Sequence, residues 1–177
     1  RNFTNLFIAP IKISEIITGL TITALIRTLI GIIPAVLLTA PFFGVSLLSL
    51  GPPLILLFLS LYFFGMTLGL LVVSGLLKYG PAFENVAWSS LFLLAPLGCI
   101  YYPLSILPDW LQIIAKTLPL VYIFEEVRSI LLNNVVNYSN IMTALTLNLI
   151  YFTSAVIIFY AAFNAARKRG TLVNIGE

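Results

Sequence analysis

Six carboxylates and nine cations make up the ionised chemistry of this sequence. Half of the carboxylates fall between Gly98 and Leu132, in the stretch GCIYYPLSILPDWLQIIAKTLPLVYIFEEVRSILL. Glu125 and Arg128 are three residues apart there, a spacing that pairs them on one face of a helix, and Glu126 stands beside them. Two uses suit such a set. One is an ion pair that fixes local structure; the other is a group of charges facing the mouth of a permeation path, because ionisable groups at membrane depth face a cavity or each other. Catalytic sets are missing. The chain has no His and a single Cys, Cys99, which excludes His or Cys metal sites, Cys-His nucleophilic pairs and an internal disulfide framework. It has no phosphate loop of the G-x-x-x-x-G-K-[ST] type. The acids, Glu15, Glu84, Asp109, Glu125, Glu126 and Glu177, lie outside or at the edges of the long apolar runs, whereas intramembrane acid–base chemistry would want two inside them. No catalytic, cofactor-binding or metal-binding residue is expected.

The elements that hold these charges are set by composition. Of 177 residues, 60% are apolar and 8% charged, against about 25% charged in a soluble domain, and mean hydropathy is +1.10. This is the composition of a chain embedded in a bilayer. The net charge of +3 is spread thinly, without the basic patch that nucleic acid requires.

From Thr28 to Leu77 no residue is charged, a run far longer than the roughly 20 residues needed to cross a ~30 Å hydrocarbon core. It must fold back, and Gly51-Pro52-Pro53 is the breaker, since proline lacks an N–H and disfavours helix in the residue before it. One span therefore ends near Phe43 to Leu50, and a second runs from about Leu54 to Leu77, closed by Lys78-Tyr79-Gly80-Pro81. A third is expected over 85–102, kinked at Pro96, and a fourth from about Ile141 to Phe163, capped by Asn140. The runs lack the alternation of barrel strands, and backbone groups in lipid must bond internally, so the spans are helices. The expected fold is an all-α integral membrane protein with four transmembrane helices, a short N-terminal amphipathic helix and an outer re-entrant helical hairpin.

Lys and Arg in short loops orient the chain. Arg1, Lys12, Lys78 and Arg167-Lys168-Arg169 fall on one side after four crossings, while the turn over 44–53 carries no cation. That side is expected to be cytoplasmic, with both ends of the chain there and the segment from Tyr101 to Asn140 outside. Arg27 lies about two turns inside the first span and is read as a snorkelling cation, or more sharply as part of a substrate path.

The opening, RNFTNLFIAPIKISEIITG, is amphipathic: Thr4 can cap a short helix through Ala9, Pro10 ends it, and Ser14 can cap the long helix that follows. Leu6, Phe7 and Ile8 would then lie just outside the membrane, as an interfacial anchor or as a knob for a soluble partner. The outer segments LPDWLQIIAKTLP and LVYIFEEVRSILL are too short to cross and suit re-entrant or interfacial helices, with Tyr101, Tyr102, Trp110, Tyr122 and Tyr138 at headgroup level. Thr67, Ser74 and Asn148 within the spans read as helix-packing groups, and Gly65-x-x-x-Gly69 with Gly75 suits close helix contact.

Taken in order, these pieces resemble the membrane subunit of ATP-binding-cassette exporters of the type-2 permease family. NLFIAPIKISEIITGL is similar to that family's coupling segment. ENVAWSSLFLLAPLGCIYYPLSILPDWLQIIAKTLPLVYIFEEVRSILL is similar to its most distinctive region: a Pro-containing helix, a Gly-x-x-aromatic-x-Pro turn, Leu-Pro-x-Trp-Leu, and Leu-Pro-Leu-x-Tyr followed by Glu and Arg. The tail ARKRGTLVNIGE also fits. The resemblance covers nearly all of the chain as a single transmembrane domain over 1–177, with a cytoplasmic coupling segment at 1–13, the outer hairpin at 104–139 and a cytoplasmic tail at 164–177. It implies a permease of six spanning helices whose third to sixth are present, so that the sequence is a fragment lacking the N-terminal part. It implies that ATP is bound and hydrolysed by a separate nucleotide-binding subunit pressing on Leu6, Phe7, Ala9 and Pro10, and that a second permease copy completes the path. It implies that the hairpin caps an outward exit, with Tyr101, Tyr102, Pro103, Glu125 and Arg128 at its mouth. The cargo would be amphipathic, a polysaccharide, a lipid-linked glycan or a drug, and the setting a plasma or inner membrane. A non-transporting scaffold or channel-like subunit is the alternative, and a lipid-modifying enzyme is disfavoured by the charge-free spans.

Overall fold

A computed structural model describes residues 13–44 and 46–169. Every regular element among the described residues is helical. They are α1 (Ile13–Phe43), a 3-10 turn (Leu47–Leu50), α2 (Pro52–Tyr79), α3 (Phe83–Leu97), a second 3-10 turn (Leu104–Ile106), α4 (Asp109–Ala115), α5 (Pro119–Asn133) and α6 (Tyr138–Arg169). The segment before α1, including Leu6, Phe7, Ala9 and Pro10, lies outside the described residues, as does the tail beyond Arg169.

Among the described residues, three helices are long and apolar enough to cross a membrane: α1 over Thr21–Phe43, α2 over its whole length, and α6 over Tyr138–Lys168. The span expected over 85–102 forms a helix shorter than expected. Its helix, α3, has 15 residues, about 22 Å at ~1.5 Å per residue and shorter than a ~30 Å hydrocarbon core. Pro96 does not kink a longer helix; it stands one residue from its end. The Gly98 N–H still reaches Leu94 O at 2.7 Å, and then Cys99 turns left-handed at φ 53° and takes the chain out of the helix.

Contacts divide the chain into two units, residues through Ser49 and residues from Leu50. In the first, α1 contains Pro34 and Pro41, and Ser14, expected as its cap, is already helical. Thr23, Thr28 and Thr39 donate to carbonyls of their own helix, Gly19 O, Ala24 O and Val36 O, at 2.7, 2.9 and 2.7 Å. That keeps their hydroxyls satisfied where water is absent. Arg27 is exposed on α1.

The second unit starts where the two prolines require it to. Gly51 adopts φ 62°, and Pro52 and Pro53 occupy the first turn of α2, where a missing N–H costs nothing. At the other end Gly80, at φ 79°, donates its N–H to Leu76 O at 2.9 Å and stops the helix after Lys78-Tyr79.

The core of this unit is the contact between α2 and α6. Asn148 meets Ser60, Phe63 packs on Phe152 with the rings tilted and 4.6 Å between centroids, and Phe64 meets Tyr151 edge-on at 6.2 Å. The partner number stays close to a constant offset while both numbers rise, so the two helices run parallel. Small or polar residues recur every seven positions on each: Ser60, Thr67 and Ser74 on α2, and Asn148, Ala155 and Ala162 on α6, all buried. A seven-residue repeat keeps one face of each helix on the other, and small side chains let the backbones approach.

Helix α3 connects opposite ends of this pair. Phe83 at its start lies against Gly75 and stacks on Tyr79 at 5.8 Å, near the end of α2. Gly98, just past its end, is close to Leu120 of α5. In turn α5 contacts both α2 and α6 and is bonded to the first residues of α6. The hairpin of α4 and α5 therefore sits at the end where α2 and α6 begin.

The glycine expectation is corrected in detail. A Cβ at Gly65 or Gly69 would meet open space, whereas one at Gly75 would overlap the Phe83 ring. Gly75→Ala is expected to cost about 1–3 kcal/mol by overpacking. Gly65→Ala and Gly69→Ala should be neutral or stabilising, by up to about 1 kcal/mol, through helix propensity. Unfolding of the three variants by SDS titration in bicelles measures the contrast, and equal behaviour of all three would contradict the α2–α3 contact.

Candidate functional site

The residues singled out by their charge come together at the hairpin. Prolines set its segments: Pro108 precedes α4, whose first turn carries Asp109, and Pro119 opens α5. Between them, Cys99, Leu107, Ala115 and Val121 form a small buried core, flanked by Tyr102, Leu104, Leu111 and Leu118. Gln112 donates to Leu107 O at 2.8 Å and closes the start of α4. Trp110 and Ile113 point away from this core and are exposed, as an apolar face in contact with lipid would be.

Glu125 and Arg128 do pair, at 2.6 Å, with 31% and 23% of their side chains exposed. The pair is also tied to backbone. Arg128 Nη2 donates to Cys99 O at 2.6 Å, and the same Glu125 oxygen that takes Arg128 Nη1 also accepts the Leu104 N–H at 2.8 Å. One carboxylate and one guanidinium thus hold both ends of the loop that follows α3. Hydrogen bonds to charged groups are shorter and stronger than neutral ones, which suits a loop that must keep a non-glycine residue, Cys99, in a left-handed conformation.

The other expected mouth residues divide between structure and surface. Tyr102 donates its hydroxyl to Pro96 O at 2.9 Å, closing the end of α3. The Pro103 carbonyl accepts Ile106 N–H at 3.1 Å and starts the second 3-10 turn. Tyr101 is 79% exposed and is the member of the set whose ring is free to meet a solute.

Glu126 does not face a mouth. It is fully buried, accepting Asn137 N–H at 2.6 Å and Asn140 Nδ2 at 3.0 Å. Helix α6 accordingly begins earlier than expected, at Tyr138. Its start is held by Asn137, whose side chain accepts Ser139 N–H at 3.1 Å, and Asn140 is not the cap. A carboxylate at a helix N-terminus also meets the positive end of the helix dipole. The sequence signal for this was present as Asn-Tyr-Ser-Asn following an acidic helix, but the acid lies eleven residues before the N–H it caps.

Within the spans, Thr67 and Ser74 return their hydroxyls to Phe63 O and Leu70 O of their own helix. Asn148 alone among them reaches across: its Nδ2 donates to Ser60 O at 3.0 Å and Ser60 Oγ at 2.7 Å. Its Oδ1 is buried without a hydrogen-bond partner among the described residues. Ser60 was not singled out by sequence, although its place in the Ser60, Thr67, Ser74 repeat marks it. No cluster of three metal-ligating side chains occurs among the described residues.

A family model described as ABC-2 type transporter matches residues 1–132. The chain belongs to the ABC-2 type transporter family. The matched part of this ABC-2 chain runs through α1 to α5 and takes in the Glu125–Arg128 pair, while α6 lies beyond it. No curated protein and no solved structure matches the chain. As a membrane domain of this family it is a multi-pass transmembrane permease component that is not itself catalytic, and the family typically works with an ATPase partner.

Because Glu125 and Arg128 each also bind backbone, their positions are not exchangeable: Leu104 N–H requires an acceptor and Cys99 O a donor. Arg128→Ala should cost about 1–3 kcal/mol by leaving buried groups unpaired, and Glu125→Arg combined with Arg128→Glu should not restore the loss. Thermal unfolding of the single and double variants in detergent tests this; recovery in the double swap would mean that the ion pair alone matters.

Proposed function

We propose that this ABC-2 chain is the membrane permease subunit of an ATP-driven exporter, working as a pair of permease copies with a soluble nucleotide-binding ATPase. Its cargo on this reading is an amphipathic molecule carried outward: a polysaccharide, a lipid-linked glycan or a drug. The observation that carries the reading is the family match across α1 to α5 in a chain without a phosphate loop of its own. ATP belongs to the partner, and the energy enters through contact with it.

A four-crossing layout of the chain accords with the parallel pairing of α2 and α6. Two parallel spanning helices start on the same side, so the chain between Tyr79 and Tyr138 must return across the bilayer, and α3 is the segment that makes the return. At about 22 Å it leaves ~8 Å of a ~30 Å core uncrossed. The hairpin then dips below the outer interface to complete the path, which explains why its backbone groups are tied to charged side chains. Positive-inside bias puts Lys78 and Arg167-Lys168-Arg169 in the cytoplasm and Tyr101 on the outer side.

In this arrangement Leu6, Phe7, Ala9 and Pro10 form the contact with the ATPase, and Tyr101, Tyr102, Pro103, Glu125 and Arg128 form the outer mouth. Leu6→Asp with Phe7→Asp in the complete transporter should uncouple ATP hydrolysis from transport while leaving membrane insertion intact. ATPase activity and substrate flux measured together in proteoliposomes test it: coupling unchanged from the wild type would remove the opening segment from this role.

A further inference from the structure

At the end of the bundle opposite the hairpin, a groove of about 480 Å³ opens between α2, the start of α3 and α6. Its α2 wall is Leu71, Gly75 and Lys78, and its α6 wall is Ile158, Ala161 and Ala165. The lining is mostly apolar: its two hydroxyls are those of Ser74, already bonded to Leu70 O at 2.6 Å, and of Tyr79, beside Lys78 at the end of α2.

The charge lies at one end. On α2 the lining positions follow each other by turns and finish at Lys78. On α6 the same spacing carried past Ala165 reaches Lys168, which is exposed. Because α2 and α6 run parallel, both apolar walls finish in a lysine at the same end of the groove. Arg167 adds a further exposed cation there, and Glu84, in the first turn of α3, is the acid nearest in sequence to the lining. Lys78 rests over the Tyr79 ring, 5.0 Å from its centroid, and is exposed and free to swing.

We infer that this groove is a binding site for one anionic phospholipid, its acyl chain against Leu71, Ala161 and Ala165 and its phosphate between Lys78 and Lys168. Lysine stems cover apolar surface while their ammonium groups stay at headgroup level, and anionic headgroups are attracted to cations placed there. The small side chains of Ala161 and Ala165 are what leave room for a chain. This inference rests on the membrane placement of α2 and α6 and not on the transport reading, so the absence of an ATPase partner would leave it standing.

The test uses the complete protein reconstituted in vesicles of phosphatidylcholine with a minority of phosphatidylglycerol, then extracted in mild detergent for native mass spectrometry of the lipid it retains. The wild type should retain a discrete phosphatidylglycerol adduct, enriched several-fold over the bulk ratio. Lys78→Gln with Lys168→Gln should bring retention to the bulk ratio, and Ala161→Phe, which fills the groove and leaves both lysines, should remove the adduct. Undiminished enrichment in either variant overturns the site. So does cross-linking of Ala161→Cys between two copies, which would show the groove covered by protein.

Discussion

Two helices that run parallel cannot be joined by a turn. That constraint, imposed by the pairing of α2 with α6 through Ser60, Asn148 and the Phe63–Phe152 contact, governs everything between Tyr79 and Tyr138. The chain must travel back along the bundle before α6 can start, and it does so with a helix of 15 residues followed by a compact, charged hairpin. In a soluble protein such a return could wander over the surface. In lipid every backbone N–H and C=O along it needs a partner within the protein, and the loop after α3 is where helical bonding runs out.

The three charged side chains of α5 answer that need in two different ways. Glu125 and Arg128 look outward from the helix and fasten the loop that precedes the hairpin, through Leu104 N–H and Cys99 O. Glu126, one residue on, turns inward and fastens the chain that follows it, through Asn137 and Asn140. A single short helix thus secures the exit from α3 and the entry to α6. Acidic residues gather in this stretch because the backbone around it departs from helix twice, and carboxylates accept what the helices cannot.

How far this was legible in sequence depended on how local the cause was. Gly51-Pro52-Pro53 and Gly80-Pro81 mark the ends of α2, because proline and left-handed glycine act on their own residues. The pairing of Glu125 with Arg128 followed from helical spacing. The length of α3 did not, since hydropathy stays high through Ile100 while the helix ends at Leu97; the terminating event is the backbone of Cys99, which no composition reveals. Nor did the inward turn of Glu126, whose partners belong to a later helix. Of the three glycines read as close-contact positions, Gly65 and Gly69 face open space while Gly75 meets Phe83; spacing identifies a possible face but not the neighbour that occupies it.

The Asn148–Ser60 bond also limits how the bundle can move. Moved along α2, the Asn148 side chain would next find a comparable hydroxyl at Thr67, seven residues and about 10.5 Å away, and intermediate positions leave it facing Phe63 or Phe64 in an apolar setting. Sliding by an ångström or two is thereby penalised, and α5, fastened to the start of α6, is carried with the pair. These helices behave mechanically as one stiff beam.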